Sequence, residues 1–500
     1  MSRRLGVIGT LMLVLFAALI GMSAFLQYWH ASALDKSELN PRLASASQYF
    51  PRGDIVASDG TVLAHSVPSG VHQYPWKRIY PLGRLTSGVV GFTAASYGPW
   101  ALEAQYDSEL ASHQQIAQSW AQVIAPLSSA NSLQITLQPA LQRVAQLALA
   151  GRDGAVVAIN PKTGAILAMY SNPTYDPSRI TNPDPIVEAK VWQSYIKNNG
   201  HGFPPLGNLA IQHTFPPGST FKVVTTASAI RNNPSLIVKS YPVLACTPLP
   251  NTINQLCNDG GQPCGGTVSV MLPYSCDPGY GLMGLDLGGD FLSQTAQSFG
   301  YNQTIPIDLP GLSNSFFPAA STFISDQPQL AYSAIGQENV RATALQNALV
   351  AAGIANNGVI MTPHFLDQIL SADGTVIRRY HPTPWLRPLN SGQAASIVPL
   401  MEDVARYGTA GGVGFLAQDD VAAKTGTAQT GNSAHNTDDW MIAFAPARAP
   451  EIAIAVVVPF QAITAYGATI AGPIVKCMVE AEIAIVAGQR ATGTATTCHF

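Results

Sequence analysis

"TFPPGSTFKVVTTASAI" occupies Thr214–Ile230, and its reading decides the fold. Pro216-Pro217-Gly218 closes a loop, and Ser219 then opens a run rich in Ala, Thr and Val, a good position for a helix start. Lys222 follows at i+3, so its amine shares a helix face with the Ser219 hydroxyl. A serine hydroxyl is a poor nucleophile until a neighbouring base takes its proton. A lysine can be that base when desolvation or a second cation lowers its pKa. The helix N-terminus adds N–H groups and a positive dipole end for a developing oxyanion. Ser-x-x-Lys alone is not specific. Ser194–Lys197 reads "SYIK" without a Pro-Gly before it, and a solvated helix face is the plain alternative for either copy.

Order and company single out Ser219. Ser275 comes next, in "LPYSCDPG" (272–279), and Lys424 after it, in "AAKTGTAQTG" (422–431). Ser-x-x-Lys, then Ser-x-Asx, then Lys-Thr-Gly is the three-part signature of penicillin-recognising serine enzymes. A strand through Lys424-Thr425-Gly426-Thr427 exposes alternate side chains on one face, and Gly426 lets a ligand lie close to the backbone. Lys-Thr-Gly also occurs earlier, in "NPKTGAILAM" (160–169). There Pro161 and Gly164 sit between two apolar runs, which is turn chemistry, so this copy reads as a hairpin tip.

Working outward, "RGDIVASDGTVLA" (52–64) carries a hairpin signal at Ser-Asp-Gly, and residues 128–151 read as a strand followed by a helix from Gln138. "EIAIAVVVPF" (451–460) reads as the core strand after the second Lys-Thr-Gly. Near the other end, Arg3 and Arg4 precede a charge-free run, Leu5–Leu26, long enough to cross about 30 Å of hydrocarbon as one helix. The arginines then stay in the cytoplasm, Tyr28 and Trp29 sit at the outer interface, and nearly everything after residue 30 lies outside. "HASA" (30–33) could be a cleavage site, but a cleaved signal has a shorter apolar core.

The chain's 500 residues suit two or three domains. Only 11% are charged and the net charge is -3, which leaves no basic face for nucleic acid. Six cysteines suit an oxidising compartment. Cys246, Cys257 and Cys264 share one loop and suggest a local staple, Cys477 and Cys498 are a second candidate pair, and the connectivity stays open. No C-x-x-C or H-E-x-x-H points to a metal, and no cofactor is expected. Gly279-x-Gly281-x-x-Gly284 lacks the strand that a dinucleotide site needs before it.

Taken together, the sequence resembles a class B penicillin-binding protein, a peptidoglycan D,D-transpeptidase, of the actinobacterial subgroup with a short N-terminal module. "NPR" (40–42), "PRGDIVASDGTVLA" (51–64) and "YGPWALEAQYDSEL" (97–110) resemble the stem module, with Trp100 where the second glycine usually stands. "GAVVAINPKTGAILAMYSNPTYDP" (154–177) resembles the opening strands of the catalytic domain, and residues 333–366 match near the usual Gly-Gln-Gly segment. The resemblance implies an α+β fold, an antiparallel sheet flanked by helices, in three parts: a stub and transmembrane anchor (1–30), a stem module (31–130) and a transpeptidase domain (131–500). It implies Ser219 as acylated nucleophile, Lys222 as its base, Ser275 as proton relay and Lys424 as a shaper of local potential. Thr425 and Thr427 hold the substrate carboxylate, with Gly426 between them, and the N–H groups of Ser219 and Thr427 form the oxyanion hole. Stem peptides ending in D-Ala-D-Ala are the implied substrates, β-lactams the inhibitors, and a polytopic membrane glycosyltransferase the partner.

The second motif departs from the pattern, because Ser275-Cys276-Asp277 stands where the family has Ser-x-Asn. An ionised Asp277 cannot donate a hydrogen bond as asparagine does. It would also raise the pKa of Lys222 and weaken it as a base. The sequence after it, with Pro278, Gly279 and Gly281, predicts a rebuilt turn in place of the family's helix. A weakly active or inactive scaffold of the division or elongation machinery is therefore the alternative. Residues 31–130 are too few for a glycosyltransferase domain, a β-lactamase would lack the stem, and a penicillin sensor would have more transmembrane runs. Residues 243–268 look like an insertion near the site, without an assignable role, and residues 479–500 like a tail pinned by Cys498.

Overall fold

The computed structural model describes residues 2–28, 50–72, 74–111, 113–114, 128–198, 202–431 and 437–489. The readings on "NPR", Trp29, "HASA" and Cys498 lie outside those residues. Helix α1 is Ser2–Tyr28. Its apolar side chains face outward, with Leu13 73% and Leu11 62% exposed. Among the described residues, no helix is long and apolar enough to cross a membrane.

Strands β1 (Ile55–Val56) and β2 (Val62–Val71) form the hairpin expected at Ser-Asp-Gly, with Ile55 opposite Ala64. Asp59 Oδ1 accepts the Thr61 N–H at 2.9 Å to close the turn. Strand β3 is Tyr74–Ile79, β4 is Ser132–Ile135, and helix α2 is Pro139–Leu149. Strands β5 (Gly154–Ile159) and β6 (Ile166–Asn172) are antiparallel. The first Lys-Thr-Gly is the tip between them, where Asn160 Oδ1 accepts the N–H groups of Lys162 and Thr163. Helix α3 (Pro185–Ile196) ends at the "SYIK" copy, whose Ser194 donates to Val191 O within the helix. Helix α4 is Lys222–Asn232.

The 243–268 region folds as two small hairpins, with strands β7 (Tyr241–Leu244), β8 (Cys246–Pro248), β9 (Gln255–Cys257) and β10 (Cys264–Gly266). Disulfides join Cys246 to Cys257 and Cys264 to Cys276. Cys477 is also disulfide-bonded. Helix α5 runs Asp277–Ser298 with an internal break at Gly288, so the turn expected after Asp277 is not there. Pro278 is tolerated because the first helical turn has no N–H partner to lose. The glycines serve close packing: a Cβ on Gly279, Gly281 or Gly284 would fall 2.2 Å from Met271 Sδ, 2.3 Å from Leu256 Cδ2 or 2.4 Å from Ala334 Cβ. Helix α6 (Gln327–Ala334) supplies the last of these neighbours.

Helix α7 (Ala344–Ala355), strands β11 (Leu366–Leu370) and β12 (Val376–Arg379) and helix α8 (Ser391–Arg406) lead to the final strands. These are β13 (Ala422–Gln429), β14 (Thr437–Ala445) and β15 (Ile452–Gln461), followed by helix α9 (Gly467–Val486). Residues 479–486 thus belong to α9 rather than to a tail. The main sheet is antiparallel in the order β6-β5-β15-β14-β13. "EIAIAVVVPF" is its buried central strand, one strand further on than expected, since β14 intervenes. Helix α7 packs against β5, β14 and β15, while α9 packs against β14, β15 and α2.

A second sheet runs β12-β11-β4-β1-β2-β3, so strands from before residue 80 and after residue 365 share one ladder. Beside it lies a buried ion cluster. Glu103 accepts from Arg52 Nε at 2.9 Å, Arg78 Nε at 2.7 Å, Thr93 Oγ1 at 3.2 Å and Tyr80 Oη at 3.3 Å, and Arg52 Nη1 also reaches Asp107 Oδ1 at 2.6 Å. Burial pushes the Glu103 carboxyl upward, but the two guanidiniums outweigh it and hold the pKa below its ordinary value. The stem blocks legible in the sequence, around Arg52 and Glu103–Asp107, are this cluster.

Candidate active site

Ser219 sits in a tight turn, a 3₁₀ segment Gly218–Phe221, that runs straight into α4. Gly218 has φ +53° there, and a Cβ would lie 3.1 Å from Ala428 Cβ and from Thr427 O. Glycine therefore lets the turn press on strand β13. The Gly218 N–H donates to Gly336 O at 3.0 Å, which brings in the segment that resembles the family's Gly-Gln-Gly. On the strand side, a Cβ on Gly426 would lie 2.9 Å from Pro217 O and from Thr220 Cγ2. The nucleophile turn thus makes a close approach at Gly426.

Lys222 and Lys424 are both fully buried and converge on one hydroxyl. Ser275 Oγ accepts from Lys222 Nζ at 3.1 Å and from Lys424 Nζ at 2.9 Å. Lys222 Nζ also donates to Ser275 O and to Asp277 Oδ1, each at 2.6 Å, and Lys424 Nζ donates to Thr425 O at 3.0 Å. None of the hydrogen bonds of Lys222 goes to Ser219, and among the described residues the Ser219 hydroxyl has none. The Lys222 amine is engaged by Asp277 and Ser275 instead. Ser275 has φ +59°, a left-handed conformation costing a serine about 1–3 kcal/mol, and this aims its hydroxyl between the two amines.

The electrostatics follow from burial and count. Burial pushes the Lys222 pKa down and Asp277 pushes it back up, with a net fall. The expected rise from Asp277 is therefore real as a contribution and is outweighed. Lys424 falls much further, through burial and then repulsion by Lys222. The ring of Tyr280 lies 5.5 Å from Lys222 Nζ, an additional contact on the cation.

Thr425 and Thr427 point elsewhere in the resting site. Thr425 Oγ1 is 2.6 Å from Thr409 Oγ1, and Thr427 Oγ1 accepts the Gly467 N–H at the start of α9 at 3.1 Å. The Thr427 hydroxyl proton is left free to donate to a carboxylate. Opposite Thr427 on β14 stands Asp439, buried with neither carboxylate oxygen partnered. Burial and neighbouring Asp438 push its carboxyl up to about 7. Sequence reasoning missed Thr409, Trp440, Asp439 and Asn258. Trp440 donates through Nε1 to Pro216 O at 2.9 Å behind the nucleophile turn. Asn258 accepts the Asp277 N–H at 2.7 Å. Only Asn258 carried any signal, as part of a turn-like Asn-Asp-Gly-Gly run between cysteines.

A serine on a tight turn, two buried lysines meeting on a second serine, and an edge strand with Lys-Thr-Gly-Thr define a serine acyltransferase site on an α+β sheet. The comparisons agree. The penicillin-binding protein transpeptidase domain matches residues 154–480, and the penicillin-binding protein A dimerisation domain matches residues 52–132. The peptidoglycan D,D-transpeptidase PbpA of Mycolicibacterium smegmatis is 34% identical, over 97% of this chain and 99% of its own. That of Mycobacterium tuberculosis is 32% identical over the same shares. The solved ceftriaxone acyl-enzyme complex of penicillin-binding protein A from M. tuberculosis superposes with a TM-score of 0.79 at 32% identity, covering 88% of this chain and 99% of that one. This chain belongs to the penicillin-binding protein transpeptidase family.

Proposed function

We propose that the chain is a membrane-anchored peptidoglycan D,D-transpeptidase. The observation that carries the reading is the convergence of Lys222 Nζ and Lys424 Nζ on Ser275 Oγ, beside a nucleophile turn pressed against β13. Ser219 Oγ attacks the carbonyl of a D-Ala-D-Ala stem peptide, and its proton passes to Lys222. Ser275 relays a proton to the departing D-Ala amine, with Lys424 keeping the relay polarised. An amine of a neighbouring stem then displaces Ser219 and forms the cross-link. Thr425 and Thr427 receive the terminal carboxylate around Gly426, and the N–H groups of Ser219 and Thr427 the oxyanion. β-Lactams enter by the same acylation, as in the acyl-enzyme complexes of the M. tuberculosis relative.

For base catalysis to begin, Lys222 has to leave Asp277 or share it. That pairing is also what favours the second reading, a scaffold with weak activity. The reading of a single span with the catalytic domain outside the cytoplasm rests on the sequence alone, on the charge-free run Leu5–Leu26 after Arg3 and Arg4. A polytopic glycosyltransferase is the partner this arrangement calls for. The deciding experiment is covalent labelling of the purified ectodomain by a fluorescent penicillin. Labelling of wild type that is lost in Ser219→Ala is expected; a folded wild type that stays unlabelled moves the reading to the scaffold.

A further inference from the structure

We propose that Asn258, from the disulfide-stapled insert, is a positioning residue that sets the Lys222–Ser275–Asp277 geometry by capping α5 from outside. The proposal rests on the Ser219/Lys222 acylation reading above.

Helix α5 begins at Asp277, yet its own N-cap residue, Cys276, makes no side-chain cap hydrogen bond. Its sulfur is committed to Cys264. Exposed N–H groups at a helix start need acceptors, and Ser, Thr, Asp or Asn usually supplies one at the N-cap. Here Asn258 Oδ1 accepts the first N–H, that of Asp277, at 2.7 Å. The acceptor has come from a different segment, 19 residues earlier in the chain.

The amide of Asn258 can point only one way. Its Nδ2 donates to Gln262 O at 2.7 Å and to Leu244 O at 3.4 Å, and its own N–H donates to Ala245 O at 2.8 Å. Two carbonyls demand the NH₂ group, which leaves the oxygen for Asp277. Covalent bonds bracket the contact on both sides. Asn258 directly follows Cys257, bonded to Cys246, and Asp277 directly follows Cys276, bonded to Cys264. Leu256 fixes the same insert by filling the space left by Gly281.

What the cap holds is the part of the site most sensitive to a small shift. Asp277 sits between the Asn258 cap at its N–H and Lys222 at its carboxylate, while Ser275, two residues before it, is in a left-handed conformation. Displacements of about 1 Å at a catalytic group can cost up to 10²-fold in rate. The charged and titratable groups that bear on Lys222 are Asp277 and the Tyr280 ring from α5, Lys424 from β13 and Asp259 from the insert.

The test is the rate of penicillin acylation against pH in the full chain, for wild type, Asn258→Ala and Asn258→Asp. Asn258→Ala should label to the same final extent but roughly 10- to 100-fold more slowly, because Ser275 shifts together with the loosened Asp277 and this misplacement outweighs the release of Lys222. Its rising limb should move to lower pH, because a loosened Asp277 raises the Lys222 pKa less. Asn258→Asp keeps an acceptor for the Asp277 N–H but sets a second carboxylate oxygen against Gln262 O and Leu244 O, and it adds negative charge on the side of Asp277; its limb should move to higher pH, whatever its rate. Limbs that coincide with wild type overturn the positioning role, whether the rates are unchanged or uniformly lowered. If Asn258→Ala does not fold, Asn258→Asp alone decides by the same shift. Wild type that takes no label overturns the acylation reading, and this proposal with it; labelled wild type with unmoved variant limbs overturns only this proposal.

Discussion

The molecule buries charge in two places and treats it in opposite ways. In the stem, Glu103 is fully buried but receives two guanidiniums, a hydroxyl and a phenol, while Asp107 takes up the remaining charge of Arg52. In the active site, two fully buried lysines share one serine hydroxyl and a single carboxylate. The stem satisfies its charges and fixes a shape. The site leaves two cations facing one carboxylate: burial lowers the Lys222 pKa, and burial and then repulsion by Lys222 lower that of Lys424 further. A buried cluster with matched partners is architecture, and one with mismatched partners is chemistry.

The largest test of this contrast is Glu103→Gln. Arg78 would lose its counter-charge and Arg52 one of its two, and breaking a buried pair in this way costs about 3–5 kcal/mol. Urea unfolding of residues 31–500 should show it, with Ser219 acylation per folded molecule unchanged. The Glu103 pKa is lowered on folding, so its stabilisation is present above the ordinary carboxylate range and is lost as pH falls through the folded value. Equal stability of variant and wild type at neutral pH would break the contrast.

Asp439 shows the opposite sign. Folding raises its carboxyl to about 7, so it favours the protonated state and the fold loses stability as pH rises from about 4 to 7. Asp439→Asn should therefore stabilise the protein by up to about 4 kcal/mol at pH 8 and by much less at pH 4. A thermal melt series across that range reads it; a gain independent of pH would show that the carboxyl does not titrate there.

Asp277→Asn is the counterpart of Glu103→Gln in the active site. It frees Lys222 and should speed penicillin acylation at neutral pH by about tenfold, the equivalent of about 1.4 kcal/mol. An unchanged rate of labelling would mean that Asp277 does not restrain the base.

The smallest effect is expected at the first Lys-Thr-Gly. The half-exposed Lys162 pairs with Glu451 at 2.7 Å across the surface, and such pairs contribute under about 1 kcal/mol. Lys162→Ala should leave acylation unchanged and stability nearly so. A loss of labelling would overturn the separation of the two copies.

Much of this was legible in the chain because it rests on short-range pattern. The turn at Asn160–Gly164, the hairpin at Ser-Asp-Gly, the strand–helix step at Gln138 and the ordered Ser219, Lys222, Ser275 and Lys424 motifs each depend on neighbours a few residues apart. Local pattern misled at α5. Pro278, Gly279 and Gly281 after Asp277 read as a turn, yet the helix starts there and the two glycines serve close contact with Met271 and Leu256, which only the packed fold brings near. The sequence by itself thus determined the chemistry on offer and the span of apolar residues at its start. Tertiary structure decided which groups meet: strands before residue 80 with strands after 365, two lysines on one serine, and Asn258 on the helix that carries Asp277. The physical reason is that hydrogen bonds and desolvation act over a few ångströms in space, whatever the distance along the chain.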